Sequence, residues 1–414
     1  MGQNESRGSS APSQSTRPRV ILGVAGGIAA YKAVEVLRGL TETGHDVTVV
    51  PTASALKFVG AATFAALSGH PVRADVWDDV HEVPHVRLGQ QADLVLVVPA
   101  TADLLARAAH GRADDLLTGT LLTARCPGLY APAMHTEMWQ HPATVANVET
   151  LRSYGAIVID PADGRLTGAD SGPGRLPDPE EIVALARAVL ARGTLTADLR
   201  GRRVVVTSGG TREDIDPVRF LGNRSSGRQG VALARAAVVR GAEVTLVAAN
   251  MSVPEPAGVK VVHVRSALDL RSATLAEARG ADAVVMAAAV ADFRPAERRT
   301  SKIKKGSEDE PSELALVRNP DILAELSDAT GPDRATIVVG FAAETDDVLA
   351  HGHDKLVRKG CELLVVNQVG AGLGFEVDHN AATILGRDGT ETVIPSTSKD
   401  QLAHAIWDAV VERF

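Results

Sequence analysis

The chain has 414 residues, of which 45% are hydrophobic, 23% charged and only 3% aromatic, and its net charge is −8. That length exceeds one ordinary hydrophobic core and predicts two domains of about 200 residues each. The acid excess excludes a general affinity for nucleic acid or anionic membranes, which need a basic face, while two cysteines, Cys126 and Cys361, exclude a disulfide framework and fit a reducing cytoplasm.

Residues 1–18 are polar and rich in Ser, and predict a disordered tail instead of a signal peptide. The apolar stretch from Val20 is broken by Lys32 and Glu35, so it predicts no membrane span. Arg19–Val24 reads as a buried strand, Ala25-Gly26-Gly27 as its turn, Ile28–Thr43 as a helix, and His45–Val50 as the next strand. That is a βαβ unit of a parallel sheet. Further strands are predicted at Leu94–Val98, Gly128–Ala131 and Ile157–Asp160, and Pro177–Arg192 reads as a closing helix. Residues 193–200 are a short linker, with the domain boundary near residue 195. The opening layout then returns: strand Arg203–Thr207, turn Gly209-Gly210, helix Gln229–Gly241, strand Glu243–Ala248. Strands at Val259–Val264, Ala283–Ala288, Thr336–Phe341 and Leu363–Asn367 complete the pattern. Two βαβ starts predict two α/β domains, 19–192 and 201–414, each with a ligand crevice beyond the carboxyl ends of its strands.

In the first domain, Gly26-Gly27-Ile28 can cradle a phosphate, because backbone N–H groups and a helix N-terminus both attract anions. A double Gly at such a turn is as often plain turn chemistry, and the absent G-x-G-x-x-G argues against a dinucleotide. Two more loops follow strand ends, Pro99-Ala100-Thr101-Ala102-Asp103 and Pro132-Ala133-Met134-His135-Thr136-Glu137-Met138-Trp139. Together with Gly26–Lys32 (GGIAAYK) and His85-Val86-Arg87-Leu88, these segments resemble the flavin-dependent cysteine decarboxylases, specifically the phosphopantothenoylcysteine decarboxylase type. The resemblance covers residues 19–185 and implies a flavodoxin-like fold. It also implies FMN held by Gly26, Gly27, Ser54, Pro99, Thr101, Ala133 and Met134, His135 against substrate, and His85 as acid/base. His81 lies nearby, and spacing to the Leu-Gly-Gln-Gln-Ala-Asp segment favours His85. Direct decarboxylation of a cysteine carboxylate leaves an unstabilised carbanion, so such chemistry needs an electron sink, which a flavin supplies by first oxidising the thiol. Two residues depart from the family pattern: His135 stands where the family has Asn, and Gly168, in the flap Leu166–Leu176, stands where it has Cys.

In the second domain, Ser208-Gly209-Gly210-Thr211, Asp216-Pro217-Val218-Arg219 and Asn223-Arg224-Ser225-Ser226-Gly227 can present N–H and hydroxyl donors to phosphate oxygens, although the P-loop pattern is missing. A strand-end Asp292 with the downstream run Lys302-Ile303-Lys304-Lys305 suits a metal-bound polyphosphate. With Asn319-Pro320-Asp321-Ile322-Leu323 and Gly340-Phe341-Ala342-Ala343-Glu344-Thr345, these segments resemble the phosphopantothenate–cysteine ligase domain over residues 201–410. The resemblance implies a Rossmann-like fold and a CTP-dependent reaction: the carboxylate of 4′-phosphopantothenate is activated as an acyl-cytidylate, which L-cysteine attacks. Asn223 and Arg219 correspond to residues at the acyl-cytidylate, Lys302 to the lysine needed for attack by cysteine, and Asp292 to the ligand of Mg²⁺. Met286, Ala287, Ala288, Pro320, Asp321, Ile322, Leu323, Phe341, Lys355 and Lys359 are expected to line the substrate and CTP site, although an ordinary core role for Phe341 is a rival reading. The combined resemblance implies a coenzyme A biosynthesis enzyme and homo-oligomers: trimers of the first domain, dimers of the second, and a dodecamer if both hold. Two other readings are a nicotinamide-dependent oxidoreductase, weakened by the missing glycine fingerprint, and a non-catalytic flavoprotein that regulates a partner, against which His85, Lys302 and Asn223 argue.

Overall fold

The computed structural model describes residues 17–73, 83–166, 170–193, 197–303, 313–329, 331, 335–344, 348–368 and 379–414. Most of the expected N-terminal tail, His81, Gly168, Lys304 and Lys305 lie outside these residues.

The first half is built on five strands, β1 (Arg19–Val24), β2 (Asp46–Pro51), β3 (Leu94–Ala100), β4 (Gly128–Pro132) and β5 (Ile157–Val158). They are all parallel, in the order β2-β1-β3-β4-β5. This is the flavodoxin-like order. Helices cover both faces, so the strands are near-continuous apolar runs. Val20, Leu22 and Val24 pack under the helices Lys32–Glu42 and Pro179–Arg192. Ile21, Val95 and Val97 face Leu104, Leu105, Leu116 and Leu117 on the other side. The helix expected from Ile28 starts instead as a 3-10 turn, Ile28–Tyr31, before the α-helix proper. A ribbon of β6 (Ala162–Arg165) and β7 (Ser171–Arg175) follows the sheet.

The second half contains β8 (Arg203–Gly209), the ribbon β9 (Arg212–Asp214) and β10 (Phe220–Gly222), β11 (Glu243–Ala249), β12 (Lys260–Val264) and β13 (Ala283–Met286). The ribbon β14 (Phe293–Pro295) and β15 (Leu316–Arg318) precedes β16 (Ile337–Glu344), β17 (Leu363–Gln368), β18 (His379–Gly386) and β19 (Glu391–Ser398). The main sheet runs β12-β11-β8-β13-β16-β17-β18-β19, parallel through β17 and antiparallel in its last two strands. Its parallel part has the 3-2-1-4-5-6 order of the Rossmann fold. The antiparallel pair was not legible in sequence because β19 is largely exposed and lacks an apolar face. One face of the sheet packs under the helices Arg228–Val239 and Lys399–Val411, the other under Ala267–Glu277, Ile322–Asp328 and Val348–Lys359.

Residues 197–200 are no free tether. Leu199 is fully buried in the second core, and its N–H donates to the Arg240 carbonyl at 3.0 Å. The two halves meet where the helix Pro179–Arg192 lies against Arg228–Val239 and Lys399–Val411, with Arg235 bridging to Glu181.

Candidate functional sites

At the carboxyl end of the first sheet, three loops close on one another. A Cβ on Gly26 would lie 2.3 Å from the Ser54 Cβ and 2.8 Å from its carbonyl carbon, so only glycine lets the β1 and β2 loops touch. Gly27 faces the Thr101 methyl, 3.6 Å from where its own Cβ would be. Thr101 caps the helix Ala102–Ala109 by accepting the Leu104 N–H at 3.3 Å, and the Ala25 N–H donates to Pro99 O at 3.2 Å across a loop whose Val98–Pro99 peptide is cis. Gly26, Gly27, Ser54, Pro99 and Thr101 thus meet at the β1/β3 switch point, where doubly wound sheets bind their ligands. The backbone of the next loop joins them: Ala133 N donates to Ala100 O at 3.2 Å, and Met134 N to Gly174 O at 3.0 Å. Gly174 has φ +148, and a Cβ there would strike the Met134 carbonyl at 2.2 Å. That glycine is what lets the β6–β7 ribbon lie over Met134 and His135. His135 Nδ1 sits 3.8 Å from Asp170 of the ribbon.

His85 stands apart, on the helix Pro84–Gln91, which packs against the helix Leu116–Thr123. A Cβ on Gly119 would be 3.3 Å from the His85 Cβ, and the Thr123 hydroxyl donates to His85 O at 2.8 Å. The His85 Nδ1 is buried and finds no hydrogen-bond partner among the described residues. An imidazole nitrogen held dry and unpaired is available to a bound group.

The second half opens a cleft of about 960 Å³ at the carboxyl ends of β8, β13 and β16. Two buried hydroxyls hold its floor: Thr207 Oγ1 accepts the Ala288 N–H at 3.0 Å, and Thr211 Oγ1 the Ala291 N–H at 2.9 Å. Ser208 donates to Gly227 O at 2.9 Å, and a Cβ on Gly230 would strike the Ser208 Cβ at 2.5 Å, so the first turn of Arg228–Val239 sits directly on β8. Asn223, Met286, Ala287, Ala288, Asp292, Pro320, Asp321, Ile322, Leu323, Phe341, Lys355 and Lys359 all line this cleft. Asn223 donates to Val290 O at 2.9 Å. Burial raises the Asp321 carboxyl, but the bond from Lys359, the Ala324 N–H and the charges of Lys359 and Arg358 together outweigh this, and the group is held below the ordinary carboxylate range. The wall carries six basic residues (Arg224, Arg228, Arg318, Lys355, Lys359 and Lys399) against the two acids Asp292 and Asp321. In a protein of net charge −8 such a concentration of cations marks a polyanion site.

Arg219 and Lys302 are not in the cleft wall. Arg219 donates to Ile303 O at 2.6 Å and pairs with Asp216 at 3.0 Å. Lys302 is exposed, next to this latch. Burial pushes the Asp216 carboxyl up, yet the N–H groups of Val218, Ile303 and Arg219 and the Arg219 guanidinium hold it below its ordinary range. Glu213, in the same motif, is a structural cap: it accepts the N–H of Ala267 at the start of the helix Ala267–Glu277, at 2.9 Å. Gln229, Asn367, Asn380 and Lys399 also line the cleft, and no sequence signal marked them.

A flavodoxin-ordered half with a glycine-built ligand cradle, joined to a Rossmann-ordered half with a cationic cleft, defines a two-domain α/β enzyme with two separate sites. Residues 8–191 match the family described as Flavoprotein, and residues 199–414 match the DNA/pantothenate metabolism flavoprotein C-terminal domain. The chain is 61% identical over 406 residues to the coenzyme A biosynthesis bifunctional protein CoaBC of Mycolicibacterium smegmatis, covering 96% of this chain and 98% of that protein. It is 43% identical over 384 residues to the protein of the same name from Bacillus subtilis, covering 92% and 93%. A crystal structure of the C-terminal domain of such a CoaBC protein aligns at 33% identity and TM-score 0.45, covering 52% of this chain and 97% of that one. The chain belongs to the CoaBC family of bifunctional coenzyme A biosynthesis enzymes.

Proposed function

We propose that the second half joins 4′-phosphopantothenate to L-cysteine using CTP, and that the first half, with FMN, decarboxylates the 4′-phosphopantothenoylcysteine so formed. The observation that carries the ligase reading is the cleft, with six cations, two aromatics (Phe293 and Phe341) and an exposed acid at the ends of a Rossmann-ordered sheet. Lys355 and Lys359 hold phosphate oxygens as point charges. Asp292 is exposed at the cleft and free to bind Mg²⁺. Among the described residues no three acidic, His or Cys side chains form a metal cluster, so that ion would take its other ligands from the triphosphate and water. Asn223 orients the acyl-cytidylate, and Lys302, carried on the segment that Asp216 fastens, serves the attack by the cysteine amine.

In the first half, the Gly26, Gly27, Ser54 and Thr101 loops fit a flavin phosphate, because glycine-only contacts leave backbone N–H groups open at the switch point. When bound, FMN supplies the electron sink that cysteine decarboxylation needs. Ala133 and Met134 border the flavin, His135, beneath the ribbon, faces the substrate, and His85 exchanges a proton with it. We also assign the exposed apolar residues Phe220, Leu221, Leu316 and Val317 of the two neighbouring ribbons to contacts between copies, in keeping with dimers of the second half alongside trimers of the first.

Purified protein given 4′-phosphopantothenate, L-cysteine, CTP and Mg²⁺ is expected to release pyrophosphate and carbon dioxide together. Pyrophosphate without carbon dioxide would remove the decarboxylase assignment from the first half. Carbon dioxide from supplied 4′-phosphopantothenoylcysteine, without pyrophosphate under any conditions, would remove the ligase assignment from the second.

A further inference from the structure

The end of the sheet splits the cationic cleft into two lobes of different chemistry. Ile337, Val339, Leu363 and Val365 belong to the core beneath the helices Arg228–Val239 and Lys399–Val411, and Phe341 packs against that same core. Side chains alternate along a strand, so Asn367 projects to this face as well. On this side the cleft is lined by Gln229, Phe341, Asn367 and Lys399. On the other face lie Asp321, Leu323, Lys355 and Lys359, carried by elements of the opposite core. One lobe therefore offers two lysines beside a carboxylate, the other an aromatic ring, neutral amides and Lys399, with no carboxylate.

Gln229 is the anomaly. Both its Nε2 and its Oε1 are buried, and neither finds a hydrogen-bond partner among the described residues. Asn367 Oδ1 is in the same condition. Native proteins pair nearly all such groups, since an unpaired buried donor or acceptor is destabilising. Two unpaired atoms on one carboxamide, aimed into a ligand cleft, call for a ligand that presents an acceptor and a donor side by side. A phosphate presents only acceptors and would oppose the amide oxygen. The pairing edge of cytosine presents a ring nitrogen that accepts and an exocyclic amine that donates.

We propose that Gln229 reads the nucleobase of CTP, its amide N–H donating to the cytosine ring nitrogen and its oxygen accepting from the 4-amino group, with the base lodged beside Phe341. The inference rests on the ligase reading above. It makes Gln229 a determinant of nucleotide specificity, distinct from the lysines that hold the phosphates.

The test uses the full-length enzyme with bound flavin and follows pyrophosphate release. CTP is compared with the triphosphate of the pyrimidin-2-one riboside, which lacks the 4-amino group. The wild type is expected to favour CTP by about tenfold or more in kcat/KM, because the analogue leaves the amide oxygen unpaired. In Gln229→Leu that preference should shrink to within about threefold, as the wall no longer has a polar atom to satisfy, while KM for 4′-phosphopantothenate is unchanged. Gln229→Glu keeps the accepting oxygen and should retain the preference for the 4-amino group at a lower overall rate, which covers the case of a leucine variant that fails to fold. An equal preference in the wild type and Gln229→Leu, loss of that preference in Gln229→Glu, or a defect confined to 4′-phosphopantothenate, would overturn the inference. Failure of the wild type to release pyrophosphate from CTP would instead overturn the ligase reading.

Discussion

Asp216 fastens Ile303 across 87 residues of sequence: its Oδ2 accepts the Ile303 N–H at 3.2 Å. Its Oδ1 accepts the N–H groups of Val218 and Arg219, each at 2.8 Å, and Arg219 returns to Ile303 O at 2.6 Å. The carboxylate is only 1% exposed. One buried acid thus joins the Asp-Pro-Val-Arg turn to the segment that presents Lys302. Arg219 works here as a strut, reaching the chemistry through the backbone of Ile303.

Asp216→Ala should release this segment and lower ligation by about tenfold or more, the scale on which lost positioning acts. Carbon dioxide release from supplied 4′-phosphopantothenoylcysteine should be unaffected. The carboxyl is held below its ordinary range, so its contribution is present above pH 4 or so and is lost only as pH falls through the folded value. Ligase activity should accordingly show no step from this group between about pH 6 and 9. Wild-type ligation rates in Asp216→Ala would refute the strut.

Gly26 admits no side chain without moving the Ser54 backbone, 2.8 Å from the nearest possible Cβ. Gly26→Val should yield folded protein that elutes without its yellow chromophore and lacks decarboxylase activity, with ligation retained. A variant that keeps stoichiometric flavin would show that the cradle lies elsewhere.

His85→Asn should keep the flavin and lose about a hundredfold or more of carbon dioxide release, within the usual range for a positioned acid or base. Its seat on the helix Leu116–Thr123 uses the His85 main-chain carbonyl, which the substitution leaves in place. Normal release would remove the imidazole from the mechanism.

These sites were unequally legible in the sequence. β3 announces itself, since all seven residues Leu94–Ala100 are apolar and buried. The Gly26-Gly27 and Pro132–Trp139 loops carry recognisable motifs. Arg219 and Lys302 were marked as site residues, but the latch that relates them depends on a long-range contact that no spacing encodes. Gln229 and Asn367 escaped notice because a neutral amide gains meaning only from having no partner, which is a property of the folded cleft. β19 escaped for a related reason: an exposed edge strand that buries few side chains has no apolar period to read.

The seam between the halves depends on Arg240, which is fully buried. It donates to Asp198 at 2.8 and 2.6 Å and to the His404 carbonyl at 3.0 Å, and pairs with Asp408 at 2.8 Å. Arg192 shares Asp198 at 2.8 Å. Asp198→Ala leaves two cations near one another with half their anionic partners gone, and should cost about 3 kcal/mol or more, a fall in Tm of roughly 6–12 °C. Combining Asp198→Leu with Arg240→Met should recover most of that loss, because apolar replacement of the whole pair removes the uncompensated charge. A double variant no more stable than Asp198→Ala would count against this account.

His404 gives the same seam a pH dependence. Its Nε2–H donates to Ala188 O at 2.7 Å, tying the last helix to the closing helix of the first half, while Nδ1 is buried without a partner among the described residues. Burial lowers its basicity; the Ala188 carbonyl and Asp408 pull the other way, and the nearby cations Arg240 and Arg192 lower it further, for a net downward shift from 6.5. A histidine with a depressed folded value stays neutral in the native state while the unfolded chain takes up a proton. Stability is therefore complete above about pH 6.5 and falls as pH drops below it, levelling off once the folded value is passed. The slope can reach about 1.4 kcal/mol per pH unit, or roughly 3–6 °C in Tm for a domain of about 200 residues. His404→Gln keeps a donor for Ala188 O and removes the titration. Melting followed at about pH 7.5 and about pH 5.5 should show a larger acid-side loss in the wild type than in His404→Gln. Identical losses in the two proteins would mean that other groups set the acid sensitivity and that the seam does not sense protons.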